Sequence, residues 1–273
     1  MELGYTPREI AARYVEAGKS KADRGTGQMV LLGVLAGLLI GVGCAATNTA
    51  VYGIPDVWTA RTVCALLFPF GLGMVVILGL ELFTGNSLML ISVLEKRCTP
   101  AKLLHNWVIV YLANLAGSLL AAAGCSYFGQ LNYSGGQLAL YTMRVAAGKC
   151  ALPFGNALVL GIFCNILVCL GVLMSMSAKD TSGRVFGAYL PVCYFVLCGF
   201  EHCVANMYYI PAGLMAKSIP AYAQLAAEAG LDLSGLTVSG FVWGNLLPVT
   251  LGNLIGGCLL ALVVWYCSLR KEK

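Results

Sequence analysis

The chain has 273 residues, of which 59% are hydrophobic and only 11% are charged, and its formal net charge is +5. An ordinary soluble domain carries roughly 25% charged residues, and its core grows too slowly with size to hide so much apolar surface. The composition therefore excludes a soluble enzyme, a nucleic-acid-binding protein and a disordered chain, and it predicts a single helical membrane domain over residues 1–273.

The first predicted element is an amphipathic helix within residues 1–28. Thr6, Pro7 and Glu9 form a helix start, with Thr6 as the N-cap and Glu9 placed to complete a capping box. Apolar side chains, among them Tyr14, are interspersed with basic ones along the helix. This pattern is typical of a helix that lies on a membrane surface, and we expect it on the cytoplasmic face.

Six apolar segments follow, and a helix needs about 20 residues to cross the hydrocarbon core. The segments are residues 29–52, 61–94, 104–128, 152–177, 185–216 and 239–267. The second and fifth are too long for one plain helix, and both carry polar residues near the middle. We interpret each as a broken helix, made of two half-helices joined by an irregular stretch. Because lipid supplies no hydrogen bonds, such a break is tolerated only inside protein or along a cavity.

Lysine and arginine are distributed unevenly between the two sides of the predicted membrane domain. With both termini on one side, that side holds thirteen of the seventeen basic residues, among them Lys271 and Lys273, and the other side holds four. The basic side of a helical membrane protein is usually cytoplasmic. We therefore expect a multi-pass protein in the bilayer of the inner (plasma) membrane, with both termini in the cytoplasm.

Matching residues indicate that the chain contains two copies of one unit. In each broken segment a glutamate precedes an asparagine by five residues, as Glu81 precedes Asn86 and Glu201 precedes Asn206. The third and sixth segments share an Asn-x-x-Gly pattern, which begins at Asn253 in the second copy. Three crossings per copy give the copies opposite orientations, and inverted repeats of this kind place a binding or conduction site near the bilayer midplane.

The first copy spans residues 29–128 and the second spans residues 152–267. Their second half-helices begin at the breaks, and helix N-termini with unpaired N–H groups favour an anion over a cation. Thr84 adds a hydroxyl that both donates and accepts, and His202 adds a ring that changes protonation near neutral pH. Intramembrane ionisable residues are costly and usually functional, so His202 is the leading pore residue.

The two glutamates need another role, because a bare carboxylate would repel an anion in the same pore. We expect Glu81 and Glu201 to accept hydrogen bonds from the irregular backbone, while Asn86, Asn206 and Asn253 support the same loops. The alternative is direct proton handling by the two glutamates.

Lys149 precedes the fourth apolar segment on the side opposite the termini. It is either a snorkelling anchor or a cation that attracts anions toward the mouth of the pathway.

Four stretches of the sequence resemble the signatures of the formate/nitrite transporter family. They are residues 79–86, 164–170, 199–207 and 247–253. The resemblance extends from the N-terminal helix to the sixth segment. It implies an all-α, aquaporin-like fold with six transmembrane helices, a homopentamer with one pore per protomer, and passage of small monovalent anions of weak acids.

The resemblance also assigns pore roles to individual residues. The apolar matches are Leu82 and Phe83 for the external constriction, and Phe68, Leu72, Val168 and Phe195 for the cytoplasmic constriction. The polar matches are Thr84, Asn165 and His202 within the pore and Lys149 near the vestibule. An apolar constriction opposes a bare anion, because desolvating a charge is expensive, whereas a neutral weak acid passes more easily. We therefore expect pH-dependent passage, with a proton supplied at or through His202.

The identity of the transported anion stays open between formate, nitrite and hydrosulfide, and we favour formate. One alternative is an aquaporin-like pore for neutral solutes, although paired Asn-Pro-Ala motifs are missing. A second alternative is a membrane enzyme that uses thiols or a haem. The chain has twelve cysteines but no CxxC motif and only two histidines, so we expect no enzymatic activity, no cofactor and no metal.

Overall fold

The structure, a computed structural model, describes residues 4–270, and within that range it contains helices and no β-strand. Lys271 and Lys273 lie outside the described residues. The helices are α1 (Pro7–Ala22), α2 (Thr26–Val51), α3 (Val57–Leu67), α4 (Phe70–Ile77), α5 (Leu90–Leu94), α6 (Pro100–Tyr127), α7 (Tyr133–Cys150), α8 (Phe154–Ser177), α9 (Thr181–Leu197), α10 (Cys203–Ser218), α11 (Pro220–Glu228) and α12 (Leu247–Ser268). A 3-10 turn (Gly85–Met89) precedes α5, and a π-helical turn (Gly240–Leu246) leads into α12.

Helical stretches of sufficient length and apolarity to cross a membrane account for most of the fold. Within the described part of the chain, five such stretches occur: Thr26–Val51, Val57–Ile77, Pro100–Tyr127, Phe154–Ser177 and Gly240–Ser268. They coincide with five of the six predicted segments. The fifth predicted segment is divided between α9 and α10, of 17 and 16 residues.

Both predicted helix breaks are present. The first follows α4 and the second follows α9. Each begins with a glycine in the left-handed region, Gly79 with φ +63° and Gly199 with φ +71°. Only glycine takes this conformation readily, so the two glycines end their half-helices and turn the chain toward the interior.

Helix α1 has the predicted N-terminal capping box, but its apolar face does not pack where we expected it. The Thr6 hydroxyl accepts from the Glu9 N–H at 3.4 Å, and the Glu9 carboxylate accepts from the Thr6 N–H at 2.8 Å. The apolar face, including Tyr14 and Val15, is buried against α5, α8 and α12. The expectation that this face lies on the membrane surface is therefore wrong, because the bundle itself provides the apolar partner.

Helices α7 and α11 lie in parts of the chain that the predicted segments leave unassigned. Together with α10 they bury a separate apolar cluster that includes Leu138, Met143 and Tyr222. Side chains at helical spacing on α7 are buried within an otherwise less apolar stretch.

Glycines allow two pairs of long helices to make backbone contact. A Cβ on Gly117 of α6 would lie 1.9 Å from the Val34 carbonyl oxygen of α2, and a Cβ on Gly256 of α12 would lie 2.1 Å from that of Ile162 in α8. Small residues permit such approaches between membrane helices, where dispersion contacts drive association.

Each broken segment inserts its second half between the long helices of the other copy. Helix α10 packs against α2 and α6, where the Ser118 hydroxyl donates to the Val204 carbonyl at 3.4 Å. The 3-10 turn and α5 pack against α8 and α12, where the Asn165 amide donates to the Thr84 carbonyl at 3.2 Å.

Polar contacts gather the two ends of the described chain on one side, which we call the terminal face. These contacts are Arg97 with Glu16, Lys102 with Asp23, and Trp265 with Glu95. The opposite face holds the α2–α3 connection and helices α7 and α11, joined by contacts such as that of Tyr52 with Ser134 at 2.7 Å.

Candidate functional site

The two helix breaks meet at a hydrogen bond between Thr84 and His202. Thr84 Oγ1 lies 3.0 Å from His202 Nε2, and both residues are buried. Thr84 immediately precedes the 3-10 turn that begins at Gly85, and His202 immediately precedes α10 at Cys203. The N-terminal ends of the second half-helices, with their positive dipole ends, therefore come together at this contact.

The hydrogen bonds of His202 define its tautomer. Its Nδ1 accepts from the Ala205 backbone N–H at 3.1 Å, which makes the imidazole the N-cap of α10. In the neutral ring the proton then resides on Nε2, which donates to Thr84 Oγ1. The Thr84 hydroxyl keeps its own proton free to donate to another acceptor.

Asn165 fastens the first break to the helices of the second copy. Its side-chain amide donates to the Thr84 carbonyl at 3.2 Å, to the Ser87 hydroxyl at 3.2 Å and to the Asn253 carbonyl at 2.6 Å. Its Oδ1 is buried and has no hydrogen-bond partner among the described residues. An unpaired buried acceptor of this kind costs free energy.

Asn114 of α6 supports the irregular backbone of the first break. Its Oδ1 accepts from the Phe83 N–H at 2.9 Å. Its amide donates to the Glu81 carbonyl at 2.9 Å and to the Gly33 carbonyl at 2.8 Å. The side chain thus satisfies backbone groups that the break leaves without helical partners.

Asn253 of α12 makes the same set of contacts at the second break. Its Oδ1 accepts from the Cys203 N–H at 2.9 Å. Its amide donates to the Glu201 carbonyl at 2.9 Å and to the Gly161 carbonyl at 2.8 Å.

Glu81 is held by side chains rather than by backbone. Its carboxylate accepts from the Asn86 amide at 2.5 Å and pairs with Lys21 at 3.2 Å and with Arg24 at 2.5 Å. The expectation that the carboxylate accepts from the irregular backbone is therefore wrong. Its partners are instead the Asn86 side chain and two basic side chains, Lys21 of α1 and Arg24 just after it.

Glu201 has a corresponding set of partners. Lys149 Nζ donates to both of its carboxylate oxygens, at 2.9 and 3.1 Å, and the Asn206 amide donates at 2.7 Å. Lys149 also lies 5.4 Å from the centroid of the Tyr209 ring. The charge of Lys149 is therefore compensated by a buried carboxylate rather than presented free to an anion.

A cavity of about 210 Å³ leads toward the site from the terminal face. Tyr14 and Lys21 of α1 line this cavity together with Leu72 and Leu82. Arg184, at the start of α9, completes the wall.

A second cavity, of about 240 Å³, approaches from the opposite face. Arg61 and Lys149 line this cavity together with Phe68, Phe195 and His202. The Phe195 ring packs edge-on against Phe68 at 5.8 Å and is stacked on His202 at 6.0 Å. The two phenylalanine rings thus place apolar surface next to His202.

The constriction residues do not follow the predicted division between the two faces. Leu72 lines the terminal-face cavity as expected, but Leu82 lines it too, whereas Phe68 and Phe195 line the cavity of the opposite face. The predicted grouping is therefore wrong in either orientation, because Leu72 shares a cavity with Leu82 rather than with Phe68 and Phe195. The reason is the path of the broken segments, in which Phe68 and Leu72 lie one turn apart and face different cavities.

Phe83 and Val168 line neither of these two cavities. The Phe83 ring packs edge-on against Tyr111 at 4.8 Å and borders a groove on the outside of the bundle. Val168 is buried in the main apolar core.

Two further asparagines belong to the site and were not predicted. Asn106 accepts from the Asn86 amide at 2.8 Å, and Asn245 accepts from the Asn206 amide at 2.7 Å. Each lies eight residues before the first residue of an Asn-x-x-Gly pattern, so the matched spacing in both copies is the signal that could have revealed them. Within residues 4–270 no group of three or more histidine, cysteine or acidic side chains could hold a metal ion.

Comparison with known proteins identifies the family. The sequence profile described as Formate/nitrite transporter matches residues 8–267. The chain belongs to this family. It is 36% identical over 263 residues to the Formate channel FocA of Haemophilus influenzae, covering 94% of this chain and 92% of that protein. It is 35% identical over 271 residues to the Formate channel FocA of Escherichia coli strain K12, covering 97% and 95%.

The fold is also similar to a solved structure described as a pentameric formate channel with formate bound. The TM-score is 0.78 at 35% sequence identity, and the match covers 90% of this chain and 98% of that one. Membership of the family, together with the apolar helices, makes this chain a multi-pass membrane protein. The relatives are channels and transporters rather than enzymes.

Proposed function

We propose that the chain forms a homopentamer in which each protomer conducts formate, and other small monovalent anions of weak acids, across the inner membrane. The observation that carries the proposal is the meeting of two half-helix N-termini at Thr84 and His202, between cavities that approach from opposite faces. Relatives named as formate channels, and the pentameric formate-bound structure, support formate as the anion and five as the number of copies.

The proposed topology has six crossings in two inverted copies, with both termini in the cytoplasm. The matched contacts of Asn114 and Asn253 support the duplication, because each asparagine binds the same three kinds of backbone group at its own break. The uneven distribution of lysine and arginine supports the orientation.

In the proposed mechanism the anion reaches the Thr84–His202 contact and crosses the apolar rings as the neutral acid. The Thr84 hydroxyl donates to the anion, which lowers the cost of its desolvation. A proton relay through His202 requires that Nδ1 gain a proton when Nε2 releases one. Protonation of Nδ1 breaks its bond with the Ala205 N–H, so the relay is coupled to loosening of the first turn of α10.

The test is flux into proteoliposomes of the purified chain, measured separately for formate, nitrite and hydrosulfide over a range of external pH. We expect formate to pass fastest, and its flux to rise as external pH falls. A faster nitrite or hydrosulfide flux would change the preferred anion.

Two outcomes would contradict the mechanism. Passage of neutral solutes without any anion flux would favour the aquaporin-like alternative. Formate flux that is independent of pH, or unchanged in His202→Phe, would exclude the proton relay.

A further inference from the structure

We propose that Arg61 and Arg184 collect the anion, one at each mouth of the pathway. This inference rests on the proposed anion conduction and names the side chains that first bind the substrate. Neither arginine belongs to one of the sequence motifs described above. Each is assigned this role because it lines one of the two cavities.

The charges around the opposite-face cavity single out Arg61. Lys149 and Glu201 form a one-to-one ion pair at 2.9 Å, with side chains only 17% and 7% exposed, so their charges largely cancel for a distant anion. Arg61 lines the same cavity and contacts no carboxylate within the described part of the chain. The uncompensated positive charge of this mouth therefore belongs to Arg61 rather than to Lys149.

The guanidinium of Arg61 is positioned at the end of α9. Its Nη1 donates to the Leu197 carbonyl at 3.4 Å. A Cβ on Gly199 would lie 2.5 Å from that nitrogen, so the glycine allows the guanidinium to lie against the chain. Nη2 and Nε make no hydrogen bond to the described residues and stay available to an anion. A guanidinium fork matches the two oxygens of a carboxylate.

Arg184 has the corresponding position at the terminal face. Its Nη2 lies 3.5 Å from the Val76 carbonyl, near the end of α4, and it contacts no carboxylate within residues 4–270. Arg61 and Arg184 thus each reach the last turn of the other copy's first half-helix. Both guanidiniums are anchored by a carbonyl at a negative helix end and keep donors free.

Arg184 also connects two cavities. It lines the terminal-face cavity and a neighbouring surface cavity of about 230 Å³, which is lined as well by Arg13 and Lys179. A cleft rich in positive charge raises the local concentration of anions. Glu9 offsets part of the charge of Arg13 and Lys179. Arg184 is therefore the basic residue that joins this surface to the terminal-face cavity.

The experiment measures the formate concentration that gives half-maximal formate flux, with formate supplied on one side of the membrane at a time and at low ionic strength. For Arg61→Gln we expect this concentration to rise about three- to tenfold with formate at the opposite face, and to stay unchanged with formate at the terminal face. For Arg184→Gln we expect the reverse. Added salt should reduce the difference between each variant and the wild type, because it screens the charge.

Matched controls are Arg144→Gln on the opposite face and Arg8→Gln on the terminal face. Both arginines are exposed and line neither cavity, so each variant should shift the half-saturation concentration less than the cavity variant of the same face. Pentamer assembly of every variant is checked by native mass spectrometry.

Half-saturation values that stay at the wild-type level in both cavity variants would overturn the inference, and so would equal shifts from both sides. Wild type that conducts no formate would instead contradict the proposed function. If Arg61→Gln does not assemble into a pentamer, the same measurement on Arg61→Lys tests the inference. We expect a weaker formate affinity at the opposite face but unchanged hydrosulfide affinity, because an ammonium keeps the charge and lacks the fork. A formate affinity in Arg61→Lys equal to that of the wild type would then overturn the proposed role of Arg61.

Discussion

The polar side chains within the apolar helices mostly bind one another. Asn86 donates to Glu81 and to Asn106, and Asn206 donates to Glu201 and to Asn245. Each glutamate is charge-paired with cations outside its own break. These networks fix the irregular backbone, since a buried polar group is stable only when it is hydrogen-bonded.

Thr84 offers the sharpest test of a single pore residue. Thr84→Val keeps the shape of the side chain but removes the hydroxyl, so His202 Nε2–H loses its acceptor and an anion loses a donor. We expect formate flux to fall about tenfold or more, and formate-to-nitrite selectivity to weaken, with less effect on pentamer assembly. Flux ratios in proteoliposomes provide the measurement, and Thr84→Ser is the control that should retain activity. An unchanged flux ratio in the valine variant would count against a role in selectivity.

The Lys149–Glu201 pair should matter for stability more than for attraction of the anion. Removing one partner leaves a buried charge, so Glu201→Gln and Lys149→Met should each destabilise the protein by roughly 3 kcal/mol. The double variant should recover part of that loss. Unfolding followed by intrinsic fluorescence in detergent measures the three variants. Additive losses in the double variant would show that the two charges do not interact.

Asp56 gives the protein a pH-dependent helix cap outside the membrane spans. Hydrogen bonds from the Thr59 hydroxyl and N–H hold the pKa of the Asp56 carboxyl below its usual value. Such a carboxyl stabilises the fold above its unfolded pKa, and the contribution is lost as pH falls through the lower folded pKa. We expect Asp56→Ala to lower the melting temperature slightly at pH 7, and the difference to shrink below about pH 4. A difference that is constant with pH would contradict this account.

The site was predictable where sequence spacing reflects a direct contact. The five-residue spacing of Glu201 and Asn206 corresponds to a hydrogen bond of 2.7 Å. The partners Lys149 and Arg24 come from distant parts of the chain, so no local pattern could indicate that they neutralise the glutamates. Which of the two cavities Leu82 and Phe68 line depends on how the broken segments turn. Residue type alone does not determine that turn.

At the scale of helices, apolarity identifies membrane-crossing segments but not the shorter helices that pack around them. The predicted segments differ from the helices by only a few residues, and both breaks lie within them. Helix α7 was missed because its buried residues are spread over one face of a less apolar stretch. The position of α1 was wrong because amphipathicity fixes which face is buried, but not whether lipid or protein covers it.

Gly18 allows α1 to pack closely against the bundle. A Cβ there would lie 2.1 Å from the Ser92 hydroxyl oxygen, which itself donates to the Val15 carbonyl at 2.9 Å. We expect Gly18→Leu to detach α1, and trypsin to cleave after Lys21 and Arg24 at least tenfold faster than in wild type. Ala12→Leu, at an exposed position of the same helix, is the control and should not change the cleavage rate. Equal rates in both variants would mean that α1 is not held by this contact.

At the scale of the whole molecule, the bundle presents a largely apolar exterior. Exposed side chains include Leu31 at 74% and Trp243 at 65%, and a groove of about 520 Å³ lined by Trp107 and Tyr111 runs along the outside. Contiguous apolar surface of this kind is covered by lipid or by neighbouring subunits.

Native mass spectrometry tests the proposed number of copies. In mild detergent we expect a species of five 28.8 kDa chains, because part of the apolar exterior is then buried between protomers. Cross-linking in the membrane before extraction provides an independent measurement. A monomer that persists over a wide range of protein concentrations would contradict the pentamer.

The mutual insertion of the two copies limits how the molecule can move. A carrier that works by alternating access rocks one structural repeat against the other around a fixed binding site. Here α10 is enclosed by α2 and α6, and α5 with its 3-10 turn is enclosed by α8 and α12, so rocking would have to separate both interfaces at once. We therefore expect any opening of the pathway to involve side chains such as Phe195 rather than rocking of one copy against the other. The packing therefore argues against transport by rocking of the two copies, which alternating access requires.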